Sequence, residues 1–261
     1  MSSTVWRHVV TPRNQSQLDN PGLCGTLVPP SDYQMPGVVS SGDPVQTIPY
    51  ERWPELIRQQ NEDESSLYHV WQRSQIGVLN QGQSSYCWAF SSVAGMMLQR
   101  EMEGRPFRRL SPSSVAAPIV GYTNRGYYIE SALEGMRTQG AASEDFVPML
   151  TTNSRDFKGG WRDDAAKNKI SMARSIPRDH QTQGSMLFLG YPLVAALNFW
   201  GHAILFLAVL DRYPSRPATD YTRYGVLFLN SWGTGWGQGG LGVVEYSQQI
   251  ADRAYSLEQT E

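Results

Sequence analysis

The stretch Gln81-Gly82-Gln83-Ser84-Ser85-Tyr86-Cys87-Trp88-Ala89-Phe90 carries more information about the fold than any other part of this 261-residue chain. It places a cysteine directly before an apolar segment, residues 87–103, whose spacing predicts a helix with a buried face. A cysteine at the start of a helix lies beside unpaired backbone N–H groups and the positive end of the helix dipole, and both favour the thiolate. Ser84 and Ser85 are preferred N-cap residues, so we expect the helix to begin there. Cys87 is therefore a candidate nucleophile.

Two later segments supply the partners that a cysteine nucleophile needs, namely a base and a group that orients the base. His202 begins the apolar run 202–211, where an imidazole is otherwise out of place. Asn230-Ser231-Trp232-Gly233-Thr234-Gly235-Trp236-Gly237 follows the next apolar run. A buried cysteine, a histidine beside a strand or an Asn-Ser turn is usually structural when it occurs alone. The inference therefore depends on the three occurring together, in the order Cys, His, Asn.

The first segment resembles the signature of the papain–cathepsin cysteine peptidases, a Gln-Gly followed by Cys-Gly-Ser-Cys-Trp-Ala-Phe. It departs from that signature at Ser84, Ser85 and Tyr86. The Asn230 segment is similar to the family's Asn-Ser-Trp-Gly-x-x-Trp-Gly segment without a gap. Residues 126–133, followed by Gly140 and Pro148, resemble more weakly the cleft-edge loop and following helix of compact bacterial members. The chain is thus similar to papain-like (C1 family) cysteine peptidases, of a compact bacterial or viral type that lacks the family disulfides.

The resemblance implies an α+β, papain-like two-lobed fold, with a helical lobe that carries Cys87 and an antiparallel β-barrel-like lobe that carries His202 and Asn230. The order of helical and then strand-like segments favours the same class. Helices are expected at 50–64, at 130–139 and near 163–174, and strands at 191–197, 202–211 and 225–230. The four residues 198–201 predict a tight hairpin in place of a longer excursion in the family, and we expect its loss to open that side of the cleft.

The same resemblance implies roles for individual side chains. Trp236 is assigned to core packing, and no metal or cofactor is expected, because the cysteines and histidines lack zinc-ligand spacing. The resemblance implies that Cys87, His202 and Asn230 are catalytic and that Gln81 belongs to the oxyanion hole. It also implies that Trp232 shields the site and that Gly126 and Ser85 bind the substrate.

These roles imply a thiol-dependent endopeptidase that hydrolyses peptide bonds through an acyl-enzyme intermediate. An alternative of a different class is a structural or interaction protein built on the same fold, such as a virion or assembly component with little or no proteolysis. A third possibility keeps the chemistry and changes the substrate, giving an amidase that acts on peptidoglycan or isopeptide bonds. The tryptophan-rich segment after Asn230 favours the peptidase over this amidase.

The chain divides by composition into three segments. Residues 1–66 form an extended proline-rich arm, since seven of the 16 prolines fall within residues 1–50. The resemblance assigns residues 67–247 to a papain-like peptidase domain, and residues 248–261 are expected to form a C-terminal tail. The arm is expected either to act as a prosegment that runs through the cleft, or to bind an assembly partner through residues 1–60.

Charge, apolar runs and cysteine content restrict the partners and the location. A net charge of −2 gives no reason to expect nucleic acid or an anionic membrane as a partner. The N-terminus lacks the pattern of a secretory signal, and the longest apolar run, 203–210, has the length of a core strand. Two cysteines cannot form a disulfide framework, and the lack of such a framework is typical of proteins in a reducing compartment. We therefore expect a polypeptide substrate, no nucleic-acid or membrane partner, and a location in the cytoplasm or in a larger particle such as a virion.

Overall fold

Strands from both ends of the chain join one sheet in the computed structural model, which describes residues 5–11, 27 and 45–261. The order across the sheet is β1-β6-β5-β4-β3-β7-β2, with β1 parallel to β6 and the other neighbours antiparallel. The strands are β1 Val9–Val10, β2 Ile170–Ile176, β3 Leu193–Leu197, β4 His202–Asp211, β5 Tyr224–Leu229, β6 Leu241–Glu245 and β7 Arg253–Thr260.

Most helices precede the main strands in the sequence. They are α1 Trp53–Glu62, α2 Leu67–Arg73, α3 Cys87–Met102, α4 Pro112–Ile119, α5 Ile129–Thr138, α6 Trp161–Ala165 and α7 His180–Phe188. A helical region followed by a sheet confirms the predicted α+β class. Within the described residues the sheet is not a closed barrel, because its edge strands β1 and β2 do not pair with each other.

Helix α3 packs directly on the sheet and is buried from Cys87 to Arg100, as expected for a helix that is apolar on most of its surface. Gly95 makes the close approach possible. A Cβ atom at this position would lie 2.9 Å from a methyl of Leu257 and 3.2 Å from methyls of Leu205 and Val194. The helix is therefore held against three neighbouring strands, β7, β4 and β3.

The local predictions are confirmed for most elements. The strand at β4 has the predicted bounds, and helix α5 differs from its prediction by one residue at each end. The hairpin between β3 and β4 is also confirmed, with Leu197 paired to His202 across a four-residue turn. The turn is completed by Gly201, which has φ +61°, a conformation that glycine adopts without steric cost.

Two local predictions are wrong. The N-cap of α3 is Tyr86, with no side-chain cap hydrogen bond, so Ser84 and Ser85 do not cap the helix. Instead, the Ser84 hydroxyl donates to the carbonyl of Gln81. The predicted helix near 163–174 is replaced by the short α6 followed by strand β2, because the alternating residues of β2 pair with β7. Pairing with β7, which lies far along the chain, overrides the weak local preference for a helix.

Segments near both chain ends contribute to the core. Trp53 of α1 is fully buried within the segment that the sequence sets apart as an arm. Gly184 of α7 accommodates it, since a Cβ there would lie 2.3 Å from the Trp53 ring. Strand β7 falls within residues 248–261, set apart as a tail, and it is inserted between β3 and β2.

His180, the first residue of α7, lies in an aromatic cluster on this side of the core. Its ring is 5.1 Å from Trp53 and 5.7 Å from Tyr50 between centroids, and it shares a 3.0 Å hydrogen bond with the Tyr50 hydroxyl through Nδ1. Burial lowers the pKa of His180 to about 4, because the cluster solvates an imidazolium poorly. The ring is therefore neutral in the folded protein near neutral pH.

We expect this burial to make the fold sensitive to mild acid. The unfolded chain takes up a proton on His180 near pH 6.5, whereas the folded chain does so only near pH 4, so stability is lost as the pH falls through this range. The free energy of unfolding should drop by roughly 2 kcal/mol from this group between pH 7.5 and pH 5. Urea unfolding of His180→Phe at both pH values should show a pH dependence smaller by that amount. Equal pH dependence in the two proteins would contradict the assignment.

Candidate active site

The contact between α3 and β4 brings Cys87 and His202 to the same end of the helix–sheet interface. The first turns of α3 line a small cavity together with Ala203, Asn230 and Ser231, and Gly95 further along contacts Leu205. Eight residues of helix before Gly95 span about 12 Å. Three residues of strand before Leu205 span about 10 Å. The start of α3 and the start of β4 therefore lie at about the same distance along the interface from the Gly95–Leu205 contact.

The imidazole of His202 is oriented by the side chain of Asn230. His202 Nε2 lies 2.8 Å from Asn230 Oδ1, and the same oxygen accepts the backbone N–H of Ser231 at 2.8 Å. Because a backbone N–H can only donate, the accepting atom is the carboxamide oxygen, and His202 Nε2 must then carry a hydrogen. In the neutral ring the lone pair is consequently on Nδ1, which is buried and has no hydrogen-bond partner among the described residues.

Two indole rings enclose this imidazole. The Trp232 ring lies 4.7 Å from the His202 ring at an interplanar angle of 36°, and the Trp200 ring lies 4.9 Å away at 61°. The two indoles are nearly perpendicular to each other, with centroids 5.5 Å apart. His202 is fully buried between them. The low dielectric of such surroundings strengthens the bond from Nε2 to Asn230.

Sequence reasoning missed Trp200, although a signal was present. A large apolar residue in a four-residue turn requires a burial partner, and Trp200 stands two residues before the candidate base. Trp200 is only 2% exposed. The short turn was expected to open this side of the cleft, but its Trp200 side chain instead covers His202.

Gln81 is joined to the Asn230 segment by two hydrogen bonds and to Ser84 by a third. Its backbone N–H donates to the carbonyl of Ser231 at 2.7 Å, and its side-chain Oε1 accepts from the Ser231 hydroxyl. Its Nε2 donates to the carbonyl of Ser84 at 2.7 Å. The amide orientation therefore directs the N–H groups of Gln81 toward the loop that leads to Cys87.

The loop before Cys87 is held by residues of a neighbouring loop. The backbone N–H of Ser85 donates to Asn124 Oδ1 at 2.7 Å, and Asn124 Nδ2 donates to the carbonyl of Gln83 at 3.0 Å. The Tyr86 hydroxyl donates to the carbonyl of Thr123 at 2.8 Å. Burial raises the pKa of Tyr86 to about 12, so the phenol remains a neutral donor. No local sequence signal singled out Asn124, because it lies 39 residues from its partner.

Gly126 precedes a backbone carbonyl that already pairs with another segment. The carbonyl of Tyr127 accepts the backbone N–H of Leu27 at 3.0 Å. The Tyr127 ring lies 5.8 Å from that of Trp88, the residue after Cys87. The predicted cleft-edge loop is therefore adjacent to the start of α3.

The other histidines are not brought to this site. His8 packs against Trp236 at 4.6 Å, His69 shares a hydrogen bond with Ser66, and His180 belongs to the cluster around Trp53. Cys24 lies outside the described residues. None of the described helices is both long and apolar enough to cross a membrane.

Comparisons with known proteins agree with this architecture. Cathepsin K of Mus musculus is 25% identical over 192 residues, covering 67% of this chain and 57% of that protein, so the chain spans little more than half the length of this relative. Xylellain, a cysteine protease from Xylella fastidiosa, aligns with a TM-score of 0.59 at 15% identity, over 90% of this chain and all of that one. Digestive procathepsin L 3 of Tenebrio molitor aligns with a TM-score of 0.59 at 18% identity, over 89% of this chain and 75% of that one. A scan of protein families finds no match.

The chain has a papain-like fold, and its sequence is similar to those of C1-type cysteine peptidases.

The contact between Asn124 and the loop before Cys87 leads to a prediction about local stability. Asn124→Ala removes the acceptor for the Ser85 N–H and a donor to the Gln83 carbonyl. We expect hydrogen exchange at the Ser85 amide to accelerate by about tenfold, which corresponds to a net cost near 1.4 kcal/mol. Hydrogen exchange followed by NMR measures this directly. Asn153→Ala is the matched control, since Asn153 accepts the backbone N–H of Arg155 in a separate turn. Unchanged exchange at Ser85 in Asn124→Ala would contradict the prediction.

Proposed function

We propose that the protein is a thiol-dependent endopeptidase in which Cys87 is the nucleophile, His202 is the acid and base, and Asn230 orients His202. The observation that carries the proposal is the 2.8 Å hydrogen bond between His202 Nε2 and Asn230 Oδ1 at the level of the α3 N-terminus. This bond leaves Nδ1 as the ring atom that can exchange a proton with the thiol. A base oriented in this way at the same end of the interface as a helix-terminal cysteine is the arrangement that a cysteine nucleophile requires.

In the first chemical step the Cys87 thiolate attacks the carbonyl carbon of a peptide bond. The position of Cys87 at the start of a 16-residue helix supports the anion, because the unpaired N–H groups of the first turn and the helix dipole favour negative charge there. The proton lost by the thiol resides on His202 Nδ1. Collapse of the tetrahedral adduct breaks the C–N bond, and that proton passes to the leaving amine.

In the second step His202 acts as a base. Neutral again, its Nδ1 accepts a proton from water, and the resulting hydroxide equivalent attacks the thioester of the acyl-enzyme. The C–S bond breaks, the carboxylic acid product leaves with the hydroxyl of water, and the proton retained on Nδ1 restores the thiolate–imidazolium pair. Throughout both steps Asn230 accepts from Nε2, so the ring keeps one orientation while its charge changes.

Gln81 and the backbone N–H of Cys87 are proposed as the donors to the oxyanion. The Gln81 amide is fully buried, its oxygen accepts from Ser231, and its Nε2 donates to the Ser84 carbonyl, so this nitrogen faces the loop before Cys87. A preorganised donor of this kind is typically worth about 3 kcal/mol in the barrier to acyl transfer. Trp232 is proposed to keep water away from the His202–Asn230 bond.

The substrate is proposed to bind as an extended chain along the edge formed by Gly126 and Tyr127. The Tyr127 carbonyl already accepts a backbone N–H from Leu27, so it can pair with a peptide in the same way. Ser85 is half-buried beside Cys87 and is proposed to narrow the pocket for the residue that precedes the cleaved bond.

The pairing of Leu27 with Tyr127 also supports a regulatory role for the N-terminal segment. Leu27 uses the carbonyl that a substrate backbone would use, so the two would compete. The described parts on either side have other roles: β1 pairs with β6, and α1 buries Trp53. The proposed inhibitory part therefore lies between β1 and α1. Whether this segment also binds an assembly partner, and whether the protein acts in the cytoplasm or in a particle, stay predictions from the sequence.

The decisive test is covalent labelling with an epoxysuccinyl inhibitor. We expect the parent and Cys24→Ser to be labelled once and to hydrolyse a fluorogenic peptide, because Cys87 is the reactive thiol. Cys87→Ala should be neither labelled nor active, with an unchanged urea midpoint. Intact-mass analysis measures the adduct. A folded parent that is neither labelled nor able to cleave peptides would instead favour the structural or assembly-protein alternative.

The inhibitory role of the N-terminal segment is tested by removing a single donor. Leu27→Pro has no backbone N–H and cannot donate to Tyr127, whereas Leu27→Ala keeps the donor. We expect kcat/KM for a small peptide to rise by about three- to tenfold in Leu27→Pro, corresponding to the loss of one net hydrogen bond. Leu27→Ala should change less. Equal activity in both variants and the parent would reject the competition.

A further inference from the structure

Three side chains hold the imidazole of His202, and one of them belongs to the turn 198–201. Nε2 is fixed by Asn230, the Trp232 ring covers the imidazole at a shallow angle, and the Trp200 ring meets it at a steep one. Within the described residues, the ring contacts of His202 are those with these two indoles. Because the indoles are nearly perpendicular to each other, they form a corner into which the imidazole fits.

The corner restricts the motion that would misdirect Nδ1. Rotation of the imidazole about its Cβ–Cγ bond would break the bond to Asn230 and drive the ring into Trp200 or Trp232. Both indoles are at least 92% buried, since Trp232 is 8% exposed and Trp200 is 2% exposed, so neither can move aside without disturbing the core. The position of the ring therefore depends on Trp200 as well as on Asn230.

The backbone of the turn sets where Trp200 can lie. Its N–H donates to the carbonyl of Leu197 at 3.0 Å, and Leu197 is the residue paired with His202 across the hairpin. The N–H of Gly201 donates to the carbonyl of Asn198 at 3.2 Å. A turn of this length keeps Trp200 two residues from His202 and folds its side chain back over the same end of the hairpin.

We propose that Trp200 is a positioning residue for His202, an inference that rests on the proposed peptidase function. It does not touch the reacting atoms. It holds the imidazole so that Nδ1 stays directed at the Cys87 thiol, and its π system, with that of Trp232, stabilises the ring when it becomes an imidazolium. A misplaced ring would lower the fraction of thiolate on Cys87 and slow proton transfer to the leaving amine.

Trp236 provides a matched control from the same aromatic cluster. Its ring lies 6.0 Å from Trp200, 5.7 Å from Trp232 and 4.6 Å from His8. Truncating it therefore removes aromatic packing against both indoles while leaving the two rings that contact His202 in place. A loss of activity that merely follows a loss of stability would be the same for Trp200 and Trp236.

The test compares Trp200→Ala, Trp200→Phe and Trp236→Ala in four measurements: kcat, KM, the second-order rate of Cys87 alkylation by iodoacetamide, and the urea midpoint. For Trp200→Ala we expect kcat to fall by about 10- to 100-fold with KM within about twofold, because misplacing a catalytic group by about 1 Å has effects of this size. Alkylation should slow by a similar factor. Trp200→Phe, which keeps an aromatic face, should recover most of both rates, and Trp236→Ala should lose stability but keep both rates within about twofold.

The outcomes separate this inference from the proposed function. A parent that is alkylated rapidly at Cys87 yet cleaves no peptide would reject the peptidase, while the alkylation rates would still test Trp200. Should Trp200→Ala not fold, Trp200→Leu keeps apolar volume without an aromatic face and serves in its place. Equal alkylation and kcat in the Trp200 and Trp236 variants, or an effect on KM alone, would overturn the positioning role.

Discussion

The contact between helix α3 and the sheet is the constraint on which the site depends. Gly95 lets the helix axis approach β3, β4 and β7 closely, and a single methyl at this position would collide with Leu257. This close contact fixes the position of α3 along β4, and so it sets the position of Cys87 relative to His202. The relative placement of these two candidate residues is in this sense a consequence of core packing, since neither side chain could be placed by its own local structure.

A second set of contacts converts this coarse placement into a defined orientation. The carboxamide oxygen of Asn230 accepts from both His202 and Ser231, while the Ser231 hydroxyl donates to Gln81. Each of these polar groups is almost fully buried, and burial without partners would be costly. Their hydrogen bonds to one another offset that cost, which links the loop before Cys87 to the segment after β5.

The helical region and the sheet are also joined by a buried charge pair away from these residues. Glu130, in the first turn of α5, pairs with Arg253 of β7 and accepts a hydrogen bond from the Tyr255 hydroxyl at 2.6 Å. Glu130 is 2% exposed, so removal of Arg253 would leave a buried anion without its counter-charge. Strand β7, an inner strand of the sheet, is therefore joined to the helical region by this pair.

The sequence by itself determined the local elements and the identity of the candidate site residues. Helix α3, strand β4 and the hairpin at 198–201 could be predicted because periodicity, length and turn residues act over a few positions, and Cys87, His202 and Asn230 stand in short motifs. Only the tertiary structure decided that Asn124 holds the loop before Cys87, that residues 253–260 form an inner strand, and that Trp200 encloses His202. The physical reason is that each of these features depends on a partner supplied by chain packing: a carbonyl, a neighbouring strand or a second indole, whose position no local pattern encodes.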